Sequence, residues 1–109
     1  MTPRIEFLWW DGCPSHERAL ADLRDAMAEL GLDPQDVELR HVGSDEAAAG
    51  EGFAGSPTIR IDGRDLQPLA ADDVVGLSCR VYRLRDGRIS PTPDPADLRD
   101  ALMSATKAG

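Results

Sequence analysis

The sequence predicts one α/β domain of 109 residues, in which a mixed four-stranded sheet is covered by helices on both faces. Apolar runs and amphipathic segments follow one another in the order β-α-β-α-β-β-α. A chain of this length builds one core rather than two. The β-α-β beginning favours parallel neighbours joined by a right-handed crossover, and the later pair of strands makes the sheet mixed.

The first half of the chain supplies two strands and two helices. Residues 4–10 form an apolar, aromatic strand, after which a helix begins at Pro14 and ends before Gly31. Its apolar residues recur every three or four positions, which is typical of an amphipathic helix. Residues 37–42 form the second strand, and Ser44 caps a short helix.

The second half supplies the remaining strands and the last helix. Residues 57–62 form the third strand, 64–77 a long connection and 78–84 the fourth strand. Asp94 is the predicted N-cap of the last helix, with Pro95 at its first position, where the fixed backbone of proline suits a helix start.

Composition excludes several classes of function. Twelve basic residues against 20 acidic ones give a net charge of −8, whereas phosphate backbones and anionic membrane surfaces require a basic patch. No stretch of about 18 apolar residues predicts a transmembrane helix, and the N-terminus lacks the pattern of a signal peptide. We therefore expect a cytoplasmic protein without nucleic-acid or membrane partners and without a cofactor.

Cys13 is the predicted nucleophile, because it lies where the first strand meets the first helix. Free N–H groups and the dipole at a helix start favour a thiolate, which is the reactive form of cysteine. Its position after a turn predicts an exposed side chain. His16 follows three residues later and is predicted to handle the proton. The alternative interpretation is a small buried apolar cysteine.

Cys79 is predicted to lie far from Cys13. In the fold that this order of elements resembles, the fourth strand begins at the far end of the sheet, which implies that five residues at about 3.3 Å each separate the two cysteines by roughly 16 Å. Disulfides require Cα atoms within about 7 Å, so we expect no Cys13–Cys79 disulfide. A role for Cys79 as a second thiol requires the 64–77 connection to reshape this end of the sheet.

Metal binding has weak support in the sequence. There is no C-x-x-C pair and no spacing typical of a zinc site. His41 together with Cys13 and His16 would suit a soft metal, but no spacing signal joins them. No metal site is predicted.

Three motifs give the chain a resemblance to known proteins. They are Gly12-Cys13-Pro14-Ser15-His16, Gly55-Ser56-Pro57-Thr58-Ile59 and Leu77-Ser78-Cys79-Arg80-Val81-Tyr82. With the predicted element order, they make nearly the whole chain resemble the thioredoxin-like superfamily. More narrowly, the chain is similar to small bacterial thioredoxin-like proteins, some labelled DF family (seleno)proteins and others alkylmercury-lyase-like.

The resemblance implies a set of site residues. Selenocysteine replaces the first cysteine in some members, which implies a nucleophilic role for Cys13. Pro57 is implied to be a cis proline facing that cysteine. The strand edge at Ser56, Pro57 and Thr58 would then bind an extended substrate. Trp9 and Trp10 alternate along the first strand, so one should point inward and the other toward the rim of the site, and Trp10 is predicted to bind substrate.

The predicted function is a thiol–disulfide or peroxide oxidoreductase with one nucleophilic cysteine. Thioredoxins carry a second cysteine three residues after the first, and here that residue is His16. An outside thiol, either a low-molecular-weight thiol or a reductase partner, must therefore resolve the intermediate. One alternative is a soft-metal or organomercurial binding module, and another is a thioredoxin-fold interaction protein without chemistry.

Overall fold

The computed structural model describes residues 3–67, 76–77 and 79–108 of the chain. Within them the elements follow the order β1 (Ile5–Trp9), α1 (His16–Glu29), β2 (Val37–His41), α2 (Asp45–Glu51), β3 (Thr58–Ile61), β4 (Arg64–Asp65), β5 (Tyr82–Arg83), β6 (Ile89–Ser90) and α3 (Pro95–Ala108).

A mixed four-stranded sheet with the order β2-β1-β3-β4 forms the centre of the structure. β1 pairs in parallel with β2, with Ile5 opposite Val37, and antiparallel with β3, with Phe7 opposite Ile59. β3 and β4 are also antiparallel. The predicted α/β class with a mixed four-stranded sheet is therefore confirmed.

The predicted fourth strand is wrong. The fourth strand of the sheet is β4, which follows β3 after a two-residue turn. Asp62 and Gly63 have φ angles of 53° and 80°, and two successive positive φ angles are typical of the tight turn that joins hairpin strands. The segment predicted as the fourth strand instead contributes β5, which pairs with β6 in a separate two-stranded sheet. Most of the predicted connection, residues 68–75, and Ser78 lie outside the described residues.

Two apolar clusters pack on the sheet. In the larger, Ile5 and Phe7 of β1 meet α1 and α3 through residues such as Leu23 and Leu98. In the smaller, Leu8 packs with Val42, Phe53 and Ala48 of α2. Full burial of a large apolar side chain stabilises the fold by about 1.5–3 kcal/mol, so these clusters supply most of the driving force.

The helix ends follow local sequence signals with one exception. Ser44 Oγ accepts a hydrogen bond from the N–H of Ala47 at 3.1 Å, and Asp94 Oδ1 accepts one from Ala96 at 3.0 Å, as predicted for two N-caps. α1 begins at His16, two residues later than predicted. Within the described residues, no helix combines the length and apolar character needed to cross a membrane.

Candidate functional site

The candidate site lies where β1 ends and the chain turns into α1. The Cys13 N–H donates to the Trp10 carbonyl at 3.2 Å, which closes the turn. The Trp10 N–H donates to Ser56 Oγ at 3.0 Å and ties this turn to the start of β3. The Ser56–Pro57 peptide bond is cis, as predicted.

The Cys13 side chain points inward and is only 2% exposed, so the predicted exposure is wrong. Its thiol donates to the Ser56 carbonyl at 3.3 Å and contacts Ser15 Oγ at 3.3 Å. The late start of α1 explains the difference, because Cys13 belongs to the turn that folds back onto β3 rather than to the open first turn of the helix. The sulfur lies against the carbonyl that precedes Pro57, as the predicted pairing of these residues requires.

His16 is close to Cys13, but its contact is with the backbone. His16 Nδ1 lies 2.7 Å from the Cys13 carbonyl oxygen, and because a carbonyl only accepts, Nδ1 carries the proton. The imidazole also stacks on Trp9, with centroids 4.7 Å apart. This geometry fixes the turn around Cys13, and proton transfer at the sulfur stays a prediction.

Cys79 lies near Cys13, because both residues contact Ser56, so the predicted separation of roughly 16 Å is wrong. A single parallel β-bridge joins Cys79 to Ser56, and the N–H of Arg80 donates to the Ser56 carbonyl at 2.9 Å. The fourth-strand geometry behind the prediction does not exist, because β4 is made by other residues. Both cysteines are free thiols, and the expectation that they cannot form a disulfide loses its basis.

The two thiols differ in environment. Cys13 is buried, whereas Cys79 is exposed. A hydrogen bond with the Cys13 thiol raises the pKa of Cys79 above its ordinary value, and burial and the charge on the Cys13 sulfur act in the same direction. The pair resists losing both protons because two thiolates in contact repel each other.

A buried ion pair holds the Cys79 segment on β3. The Arg80 guanidinium, whose side chain is 6% exposed, donates to both carboxylate oxygens of Asp65 at 2.6 and 2.7 Å. It also donates to Thr58 Oγ1 at 3.3 Å and to the Gln67 carbonyl, and it lies over the Tyr82 ring at 4.7 Å. Because Asp65 belongs to β4, the hairpin that displaced the predicted fourth strand supplies the anchor for Cys79.

Tyr82 and Gly55 complete this attachment. The Tyr82 hydroxyl donates to the Pro57 carbonyl at 2.6 Å, and burial raises its pKa. Gly55 has a φ of 139°, and a Cβ there would lie 2.8 Å from the Arg80 Cα. Only glycine lets the two backbones approach this closely without strain.

The predicted substrate-binding residues lie close together, but they are buried or bonded to other residues of the chain. Ser56, Pro57 and Thr58 are buried. Thr58 Oγ1 donates to the Gly55 carbonyl at 2.6 Å. The Ser56 carbonyl accepts from both the Cys13 thiol and the Arg80 N–H, which uses its two lone pairs. The edge expected to bind an extended substrate is therefore occupied by the chain's own residues 79–80.

Trp10 and the neighbouring histidine have structural partners. The ring of Trp10 is half-buried, folds over Gly12 and packs against the smaller apolar cluster. His41 hydrogen-bonds Asp11, which lowers the pKa of that carboxyl, and its ring contacts Trp9 at 4.6 Å. Among the described residues there is no group of three or more histidine, cysteine or acidic side chains that could hold a metal ion.

Sequence reasoning missed four residues that hold the second thiol: Gly55, Asp65, Arg80 and Tyr82. The Asp62-Gly63 dipeptide was the available signal, since it is a strong indication of a hairpin and would have located Asp65 beside β3. Nothing in the sequence pairs Asp65 with Arg80, because ion pairs between distant residues leave no periodic pattern.

Comparison with known proteins identifies no relative: no family model, no curated protein and no solved structure matches the chain.

Proposed function

We propose that this chain is a thioredoxin-like thiol–disulfide oxidoreductase whose redox centre is the pair Cys13 and Cys79. The observation that carries the proposal is that both cysteines meet at Ser56: the buried Cys13 thiol donates to its carbonyl, and the exposed Cys79 pairs with it through a β-bridge. A dithiol in contact closes to a disulfide by giving up two electrons and two protons. The second thiol lies within the chain, so it replaces the outside resolving thiol expected from the sequence.

The arrangement of elements supports the thioredoxin-like part of the proposal. The strand order β2-β1-β3-β4 joins a parallel pair to an antiparallel pair. Successive residues of a strand point to opposite faces, and Phe7 packs with α1 and α3 whereas Leu8 packs with Ala48 of α2. This supports helices on both faces of the sheet.

The proposed reaction consumes a disulfide or a peroxide. With a disulfide, one thiolate attacks and releases a thiol, and the second thiolate then displaces the other half, which leaves a Cys13–Cys79 disulfide. With a peroxide, the first thiolate attacks one oxygen, breaks the O–O bond and releases an alcohol or water, which leaves a sulfenic acid. The second thiol then displaces the hydroxyl of the sulfenic acid, forms the disulfide and releases water. A low-molecular-weight thiol or a reductase partner returns the pair to the dithiol.

Oxidation by glutathione disulfide tests the proposal. We expect the reduced protein to consume one equivalent of glutathione disulfide and form a Cys13–Cys79 crosslink within the monomer. Mass spectrometry of a non-reducing peptide digest identifies the crosslink. A stable glutathione adduct on either cysteine, with no crosslink, would refute the dithiol centre.

The second candidate function is the binding of a soft, thiophilic cation. The position of both cysteines against Ser56 favours it, because two adjacent sulfurs suit two-coordinate Hg²⁺ or Cu⁺, and thiolates select such metals. Competition with a soluble thiol chelator measures the affinity. If the reduced protein retains Hg²⁺ against excess chelator and glutathione disulfide produces no crosslink, cation binding becomes the preferred function.

A further inference from the structure

We infer that Cys79, rather than Cys13, is the thiol that meets the incoming disulfide, and that Cys13 resolves the mixed disulfide. This inference rests on the proposed function and assigns the roles within it. It reverses the assignment made from the sequence, in which Cys13 at the strand–helix junction is the attacking residue.

Access to the two sulfurs supports the assignment. Thiol–disulfide exchange requires the attacking sulfur to approach along the axis of the target bond, so the attacking sulfur must be open to solvent. Cys79 is exposed, whereas Cys13 is 2% exposed and its thiol is directed at the Ser56 carbonyl. A disulfide in solution therefore reaches Cys79 first.

The backbone contacts also prevent an extended substrate from pairing with Ser56 beside Cys13. An extended substrate would need the Ser56 carbonyl, but that oxygen already accepts from the Arg80 N–H and from the Cys13 thiol. The buried pair of Arg80 with Asp65 keeps the 79–80 segment in this position. Cys79 thus occupies the position next to Cys13 that the sulfur of an extended substrate would take.

The exchange needs no reactant other than the small disulfide. The Cys79 thiolate attacks a small disulfide, forms one S–S bond and releases one thiolate, which takes up a proton. The Cys13 thiolate then attacks the Cys79 sulfur, breaks the mixed disulfide and releases the second thiol. The small disulfide gains two electrons, and the cysteine pair loses them.

Reaction of the reduced protein with dithiodipyridine, a neutral disulfide whose released thiol absorbs light, tests the assignment. We expect Cys13→Ser to react at least as fast as the wild type and to keep the adduct on Cys79. Cys79→Ser should react at least about tenfold more slowly, because a buried thiol reacts only after local opening. Circular dichroism of both variants verifies that they fold.

The outcomes separate this inference from the proposed function. If Cys79→Ser reacts at the wild-type rate, Cys79 is not the entry thiol, whatever the rate of Cys13→Ser. In that case the proposed function stands as long as the wild type still forms the crosslink. If the wild type keeps adducts on both cysteines, the proposed function itself fails. Partial alkylation of the wild type by iodoacetamide supplies a check without variants, since Cys79 should be labelled before Cys13.

Discussion

Cys13 and Cys79 both lie against Ser56, but different kinds of interaction hold them. The backbone of Cys13 is held by its own neighbourhood, through bonds to Trp10 and His16 within the turn after β1, and its thiol contacts the nearby Ser15 and the distant Ser56. Cys79 is held by residues distant in sequence, through the bridge to Ser56 and the pairing of the next residue, Arg80. The turn that carries Cys13 is therefore closed by local bonds, whereas the Cys79 segment depends on long-range attachment.

This difference indicates that the Cys79 segment can be released from β3 separately from the turn around Cys13. Loss of a long-range anchor should free the Cys79 segment and leave the turn around Cys13 intact. The exposed ion pairs of Arg85 with Asp97 and Asp100 provide the contrast, since they join the loop before β6 to α3 at the surface. Exposed pairs contribute little, whereas a buried pair that loses one partner leaves an uncompensated charge.

The largest effect is expected from Asp65→Ala. Removing the carboxylate leaves the Arg80 guanidinium buried without its main anion, which should lower the free energy of unfolding by about 3–5 kcal/mol. Formation of the Cys13–Cys79 disulfide should slow at the same time, because Cys79 loses its attachment. Chemical denaturation and a timed non-reducing digest measure the two quantities.

Arg85→Ala is the matched control for this prediction. It removes a surface guanidinium with two acidic partners, so stability and the rate of disulfide formation should stay close to those of the wild type. If Arg85→Ala lowered the stability and the rate of disulfide formation as much as Asp65→Ala, burial of the Arg80–Asp65 pair would not explain the effect of Asp65→Ala.

The next effect concerns the close approach of two backbones at Gly55. An alanine there adopts an unfavourable φ of 139° and meets the Arg80 Cα at 2.8 Å. The backbone strain alone should cost about 1–3 kcal/mol. Displacement of the 79–80 segment should also expose Cys13, so alkylation of Cys13, followed by mass spectrometry, should become faster than in the wild type.

Gly50→Ala is the control for Gly55→Ala. Gly50 lies in α2, and beyond its chain neighbours and the helix's own backbone no atom would lie within 4 Å of its added Cβ. Replacing glycine by alanine inside a helix should stabilise the protein by about 0.5–1 kcal/mol and leave Cys13 protected. Equal alkylation of Cys13 in both variants would mean that Cys13 does not depend on the 79–80 segment for its protection.

Local sequence signals predicted the surroundings of Cys13 but not those of Cys79. The strand before Cys13 and the Ser44 and Asp94 caps follow from short sequence patterns, and the pairing of Cys13 with Ser56 and Pro57 is implied by the family resemblance of the motifs around them. β4 and β5 have two residues each, too few to show a period. The contact between Cys79 and Cys13 depends on them, so it could not be derived from the sequence.

A smaller effect concerns the titration of Cys79. Replacing Cys13 by serine removes the thiol whose contact raises the pKa of Cys79, so the inflection in its alkylation rate should move to lower pH. By linkage, a pKa raised in the folded state gives stability that is complete below about pH 8.5, the unfolded value, and is lost as pH rises through the folded value. Alkylation rates from pH 6 to about 11 measure the shift. If Cys13→Ser left the inflection unchanged, the Cys13 thiol would not be the group that raises the pKa of Cys79.

The smallest effect is expected from His16→Phe, which keeps a ring against Trp9 and removes both nitrogens. If His16 only fixes the turn through the Cys13 carbonyl, loss of one hydrogen bond should cost about 0.5–1.5 kcal/mol and leave the shape of the pH–rate profile for disulfide formation unchanged. His41→Phe is the control, because that imidazole also contacts Trp9 but bonds Asp11. A change in the shape of the pH–rate profile in His16→Phe alone would instead assign proton transfer to His16 and give the buried half of the site its own acid–base group.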